Sequence, residues 1–231
     1  GTGAKIDIDL KNTAGAATGN LLPTGNRQDI IQVKGLGKIP VTIMDLGNPI
    51  VYVHAKFVGA TGIENRNEIS SHPDLLDKLE LVREAGARLI GLCGPDEVAV
   101  NVTPARPLVV FFNEPMDCID YVNGDIIPAK NVDFVARNIF VQKPIDTFTA
   151  IGAVNTALCS IVKGTVLNEV AIRRNPDNSQ VVFGNPRGYS DALVHVEDNG
   201  ENVKVLEASL GRTARRIMQG EVYVRESQLK I

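Results

Sequence analysis

The stretch Thr147-Phe-Thr-Ala-Ile-Gly-Ala-Val-Asn-Thr-Ala-Leu-Cys-Ser-Ile161 contains no charged side chain. A helix over about 147–161 would be apolar or small nearly all round, so it has to be enclosed by other elements. Strand signals lie on both sides of it. Lys5–Leu10 alternates apolar and polar residues, the period of a half-buried strand. Ile30–Val33 and Ile39–Met44 flank Gly35-Leu36-Gly37 and predict a hairpin, with Ile50–Val53 as a fourth strand. Leu108–Phe112 reads as a buried strand. After the uncharged stretch come apparent strands at 165–173, 180–184, 191–197, 202–209, 212–218 and 221–225. Turns fall at Asn175–Asn178, Asn199-Gly200 and Gln219-Gly220.

Two further helices are expected. Over 73–90, Leu75, Leu76, Leu79, Val82, Gly86, Leu89 and Ile90 recur at helical spacing, with Pro73 in the first turn. Over 131–141, Val132, Val135 and Ile139 share one face. Strands before and after one uncharged helix predict an α+β fold, a mixed β-sheet curled as a half-barrel around that helix, not a Rossmann alternation. The expectation is one domain over 1–231, its last strands (212–225) leaving to pack on a missing N-terminal domain or a partner. The opening Gly1-Thr-Gly-Ala-Lys lacks Met and runs at once into a strand, which suggests a start within something longer.

Composition narrows the function classes. The 231 residues carry 24 basic and 27 acidic side chains, a net charge of −3 and a pI near 5.7. That balance, with seven Phe, four Tyr and no Trp, lacks the electrostatic footprint of a nucleic-acid binder. The longest apolar runs, such as Ala105–Phe112 with Arg106 and Pro107 inside it, are too short for a membrane span. Cys93, Cys118 and Cys159 are odd in number and far apart, which argues against a disulfide framework or zinc site and for a reducing, cytoplasmic setting. His54, His72 and His195 do not pair at ligand spacing, so no metal site is expected. Nucleophile-elbow, P-loop and HExxH motifs are absent.

Loop chemistry supplies the remaining candidates. The helix start at Asp146–Ala153 offers unpaired N–H groups suited to a carboxylate, with Gly152 and Ala153 permitting close approach. Equally, Asp146 or Thr147 could simply cap the helix. Asn185-Pro186-Arg187-Gly188 reads as a turn in which Arg187 could hold an anion by two parallel hydrogen bonds, or lie solvated. Asn48 in the Gly47-Asn48-Pro49 turn could offer an amide to a ligand, or serve the turn alone. In an apparent strand, Arg212 and Arg216 share one face and Arg215 takes the other. Such a cluster fits anion binding or ion pairing with a neighbour equally well. Lys143 is a conceivable proton carrier, and Cys159 reads as an inert buried thiol.

An ordered series of motifs covers nearly the whole chain. It runs Gly1-Thr-Gly-Ala-Lys-Ile-Asp-Ile-Asp9, Thr18-Gly-Asn-Leu-Leu-Pro-Thr-Gly-Asn26, Val41-Thr-Ile-Met-Asp-Leu-Gly-Asn-Pro49 and Gly59-Ala-Thr-Gly62. It continues with Phe148-Thr-Ala-Ile-Gly-Ala-Val154, Gly164-Thr-Val-Leu-Asn-Glu169, Gly184-Asn-Pro-Arg-Gly188 and Arg212-Thr-Ala-Arg-Arg-Ile-Met-Gln-Gly-Glu-Val-Tyr-Val224. In this series the chain resembles the C-terminal portion of the PrpF family, cofactor-independent isomerases typified by 2-methylaconitate cis-trans isomerase, with a diaminopimelate epimerase-like fold. The resemblance implies two similar domains, each a sheet around a central helix, with substrate between them. It further implies proton transfer on a small unsaturated di- or tricarboxylate, shifting a double bond or swapping cis for trans, without metal or organic cofactor.

Substrate-binding positions are accordingly expected at Asn48, Thr149, Ile151, Gly152, Ala153, Asn185, Pro186, Arg187, Gly188 and Arg212. The family's catalytic Lys and Cys belong to its N-terminal half, so no catalytic residue is assigned here. Three motifs depart from the family pattern, at four positions. Ile145 stands for its usual His, Ile151 for Thr in Thr-Gly-Ala-Val, and Asn185-Pro-Arg-Gly188 for His-Pro-Ser-Gly. The expected partners are a small carboxylate and a missing half, a partner chain or a homodimer mate. Two other readings remain open: a non-catalytic half-barrel acting in binding or assembly, and an isomerase completed by its own dimer through Lys143 or a cysteine.

Overall fold

The computed structural model describes residues 3–176 and 179–225. Gly1 and Thr2 of the opening motif, and Asp177 and Asn178 of the expected 175–178 turn, lie outside the described residues. The order is β1 (Lys5–Asp9), β2 (Asp29–Val33), β3 (Gly37–Asp45), β4 (Pro49–His54), α1 (Arg66–Ser71), α2 (Leu75–Leu89) and α3 (Ala99–Val102). There follow β5 (Leu108–Asn113), β6 (Cys118–Ile119), β7 (Ile126–Ile127), β8 (Phe134–Phe140) and β9 (Lys143–Ile145). The chain continues through α4 (Ala150–Ile161), β10 (Gln180–Asn185), β11 (Gly188–Asp198) and β12 (Val203–Thr213). Ten strands form one mixed sheet in the order β1-β12-β11-β10-β8-β5-β4-β3-β2, with β9 added beside β8. Its parallel pairs are β4–β5 and β10–β8. The short β6–β7 hairpin stands apart.

β4 and β5 are almost continuously apolar because each is covered on both faces. In β4, Ile50 and Tyr52 face the core around α4, while Val51 and Val53 face the core beneath α2. In β5, Leu108, Val110 and Phe112 divide from Val109 and Phe111 in the same way. Helix α2 buries Leu75, Leu79 and Val82, and Arg83 with them, its guanidinium held by Glu80 and by the carbonyls of Thr103 and Arg106. Gly86 lets it approach the sheet: a Cβ there would stand 2.5 Å from Val51 Cγ2. Helix α4 is enclosed, with Gly152 through Ser160 all buried. It packs on β10, β11 and β12 and also on β3.

Several expectations are corrected. Residues 131–141 do not form a helix. Phe134 and Ala136 face α4, whereas Val135 and Ile139 face other clusters, so a strand buried on both faces produced an apolar spacing that also fits a helix. Residues 165–173 form no strand: 165–170 make turns that cap the end of α4, and 171–173 are irregular. Thr165 Oγ1 donates to Cys159 O (2.6 Å) and Asn168 Nδ2 to Ser160 O (2.8 Å). The pieces 202–209 and 212–218 are replaced by the single strand β12, which ends at Thr213. Ala214–Arg225 join no ladder, so neither the Gln219-Gly220 hairpin nor a strand at 221–225 is present. Ile217, Met218, Val222 and Tyr223 are each more than 80% exposed there (86%, 82%, 88% and 92%). Strand β1 forms as expected but is exposed throughout, not half-buried. Among the described residues no helix is long and apolar enough to cross a membrane, and no group of three or more His, Cys, Asp or Glu could hold a metal ion.

Candidate active site

Thr149 opens α4. Its Oγ1 accepts from Gly152 N at 3.0 Å, and its carbonyl takes the first intrahelical bond, from Ala153 N at 2.8 Å. The cap is therefore Thr149, rather than Asp146 or Thr147. The N–H groups of Ala150 and Ile151 lie ahead of the helical ladder and are available to an external acceptor at the positive end of the helix dipole.

The β3–β4 turn is pressed against this first turn. Gly47 adopts φ +77°, and a Cβ on it would come within 3.4 Å of Ile151 Cγ2 and 3.1 Å of Thr13 Oγ1. From inside α4, Asn155 Nδ2 donates to Met44 O (3.2 Å) and Asn48 O (2.9 Å). The hydroxyl of buried Tyr52 donates to Asn155 Oδ1 at 3.0 Å. Asn48 is thus placed at the helix start by its backbone, while its Oδ1 is buried without a partner among the described residues.

A second amide stands behind the same turn. Asn138 shares the face of Phe134 and Ala136 on β8, is 1% exposed, and has neither Nδ2 nor Oδ1 paired among the described residues. Its Nδ2 lies 3.5 Å from where a Gly152 Cβ would be. On the opposite face of β8, Arg137 is wholly buried. Its Nε donates to Glu64 O, and its Nη1 to Ala136 O (2.8 Å) and Gly184 O (3.3 Å). Burial pulls this guanidinium down to about 10.

The β10–β11 turn divides its labour. Asn185 Oδ1 accepts from Arg187 N (2.9 Å), and its Nδ2 donates to Ser190 Oγ (2.9 Å). Asn185 and Gly188, the latter at φ +107°, therefore shape the turn and leave Arg187 exposed. Arg187, Arg66 and Asp146 line a cleft of about 750 Å³ that Asn65, Tyr121 and Pro186 also border. Arg66 Nη1 is 3.8 Å from Asp146 Oδ2. An adjoining hollow brings Lys143 and Thr147 to the same three side chains. Arg212 stands apart, exposed near the end of β12 opposite Ile6. By strand alternation it shares the face of Leu210, which packs toward α4. Arg215 and Arg216 fall beyond the ladder, so period-2 alternation does not sort them.

Cys159 and Cys118 do not suit acid–base chemistry. Cys159 is enclosed in α4 and burial drives its pKa far up; burial also raises Cys118.

Residues 1–225 match the family described as PrpF protein. The chain belongs to the PrpF family. It is 38% identical over 229 residues to the 3-methylitaconate isomerase of Eubacterium barkeri, covering 99% of this chain and 59% of that protein. It is 31% identical over 224 residues to the (4E)-oxalomesaconate Delta-isomerase of Novosphingobium sp. (strain KA1), covering 97% and 55%. A crystal structure of methylitaconate-delta-isomerase superposes with a TM-score of 0.90 at 38% identity, over 98% of this chain and 57% of that one. This PrpF chain thus spans well under two thirds of the relatives it matches.

Of the positions expected to bind substrate, the structure brings Asn48, Thr149, Ile151, Gly152 and Ala153 to one place. Pro186 and Arg187 line the nearby cleft, Asn185 and Gly188 build the turn that carries them, and Arg212 lies on a more distant strand. Sequence reasoning missed Asn138, Arg137, Arg66 and Tyr121. Asn65-Arg-Asn-Glu68 carried a readable signal for Arg66: Asn65 and Glu68 form a reciprocal capping box that starts α1. Arg137 and Asn138 were hidden inside a segment read as helix.

Proposed function

We propose that this chain is the carboxylate-binding part of an isomerase that moves a proton on a small unsaturated di- or tricarboxylate, shifting a double bond or exchanging cis for trans. The observation that carries this reading is the start of α4. Two N–H groups ahead of the helical ladder, a glycine without a side chain and the unsatisfied buried amide of Asn138 lie at this end of the helix, and Arg187 and Arg66 line the cleft beside Asp146. Removing a proton near a carboxylate spreads a second negative charge onto its oxygens. Preorganised donors at those oxygens stabilise that charge more than they stabilise the ground state. The names of the relatives, isomerases of methylitaconate and oxalomesaconate, support the substrate class.

The acid–base pair is assigned to a part of the longer protein outside this chain, and the reaction needs neither metal nor organic cofactor. In this reading the chain is one diaminopimelate epimerase-like domain whose sheet closes as a half-barrel around α4. The contacts of α4 with both β3 and β12 support that curvature, since these strands stand six places apart in the sheet. A flat sheet would separate them by roughly 29 Å, far beyond one helix diameter. The extended segment 214–225, with its exposed Ile217, Met218, Val222 and Tyr223, packs on the remaining part. A cytoplasmic location fits three buried free thiols.

Calorimetry with trans-aconitate tests the reading. Binding to the chain, weakened at least tenfold in Arg187→Ala, is expected; a wild-type chain that takes up no di- or tricarboxylate would rule it out.

A further inference from the structure

We propose that Asn138 is a ligand-binding residue of this site, its amide donating to a carboxylate oxygen seated at the start of α4; the proposal rests on the functional reading above. A fully buried amide normally has its donor and acceptor both met, since each unmet group forfeits its hydration without return. Asn138 meets neither among the described residues.

Its position gives the unmet groups a direction. Ladder partners Val110 and Ile145 hold the backbone of Asn138 on either side. Phe134 and Ala136, at the same alternation, face the core around α4. On α4 it adjoins Gly152, where a Cβ would stand 3.5 Å from Asn138 Nδ2 and 3.0 Å from Thr149 Oγ1. The bare Cα of Gly152 leaves no side chain between the amide and Thr149. An oxygen accepting from Ala150 or Ile151 N–H at that start comes within reach of the amide donor. A ligand carboxylate offers several lone pairs and can take both.

The same contact has a role in the reaction. When the external base removes the proton, the C–H electron pair delocalises through the allylic unit onto the carboxylate. The proton then returns at the other end of that unit, and no other atom is transferred. A neutral donor at this oxygen strengthens as its charge grows, and the dry surroundings of β8 enhance the effect.

The test compares the wild-type chain with Asn138→Leu and Asn138→Ala, using trans-aconitate as the probe and urea unfolding alongside calorimetry. Asn138→Leu removes two unmet polar atoms at similar volume, so the free protein should be as stable as wild type or more so while binding about tenfold more weakly. A purely structural amide predicts the reverse, lost stability with unchanged affinity. Asn138→Ala provides the same affinity comparison if leucine does not pack. Wild-type affinity in a folded variant overturns the role of Asn138 and leaves the functional reading standing. Absence of binding by the wild type removes both.

Discussion

Replacing Asp198 by Asn should weaken the fold by about 2 kcal/mol at neutral pH, and the loss should fade in acid. Asp198 ends β11 and is gripped by Arg27 through two bonds of 2.7 Å, Nη1 to Oδ2 and Nη2 to Oδ1. It also accepts from Gly200 N (3.0 Å) and Lys163 N (3.2 Å), just past the end of α4. The side chains of Arg27 and Asp198 are only 19% and 7% exposed, so solvent screens the pair little. Arg27 holds the Asp198 carboxyl down at about 2, against a usual 3.8. At 1.36 kcal/mol per pH unit the difference corresponds to about 2.4 kcal/mol. The folded-state value is the lower one, so the contribution is complete above pH 5 and is lost as pH falls toward 2. Between these limits about 1.3 kcal/mol remains at pH 3 and about 0.4 kcal/mol at pH 2. Urea unfolding of wild type and Asp198→Asn at pH 7 and pH 3 measures the two differences directly. A gap below about 0.5 kcal/mol at pH 7, or one that does not narrow at pH 3, would show that this clamp does not act through charge.

Other perturbations bear on the site and its supports. Thr149→Ala removes the side-chain cap of α4 and should lower stability by about 1 kcal/mol in denaturant titrations. Gly152→Ala should leave stability within about 1 kcal/mol of wild type, because alanine favours helix; the new Cβ crowds Thr149 Oγ1, and trans-aconitate affinity measured by calorimetry should fall about tenfold. Gly86→Ala drives a Cβ against Val51 and should destabilise by about 1–3 kcal/mol, read as a lower thermal midpoint with site affinity unaltered. Arg187→Ala, on an exposed side chain, should unfold within about 0.5 kcal/mol of wild type while losing carboxylate affinity.

Much of this arrangement was legible in the sequence where one physical cause dominates. The uncharged run from Thr147 announced an enclosed helix, and Gly35 and Gly37 announced the β2–β3 hairpin. The apolar stripe of α2 was equally plain. Legibility failed where two causes give one pattern. Phe134–Phe140 is buried on both faces, with Phe134 and Ala136 on one side and Val135 and Ile139 on the other, and that apolar spacing reads as well as a helix as it does as a strand. Residues 165–173 read as a strand, yet the side chains of Thr165 and Asn168 close the end of α4. At the site, the residues that touch the helix start locally, Thr149 and Gly152, could be named from their own motif. Asn138 could not, since its place depends on β8 lying beneath α4, a tertiary fact with no trace in the neighbouring residues.

The pairing of β1 with β12 has a kinetic consequence. Lys5 faces Thr213 and Asp9 faces Ser209, so among the described residues β1 has its ladder partner in β12, more than 190 residues later. The helix that carries the site rests on β11 and β12 as well. On the ribosome, a nascent chain that has already formed the β2–β5 layer and α2 still lacks the wall that encloses α4. Its uncharged helix then waits with apolar surface uncovered until β12 emerges. Folding of the site is therefore a late, long-range event, dominated by loop closure and exposed to misassociation while it waits.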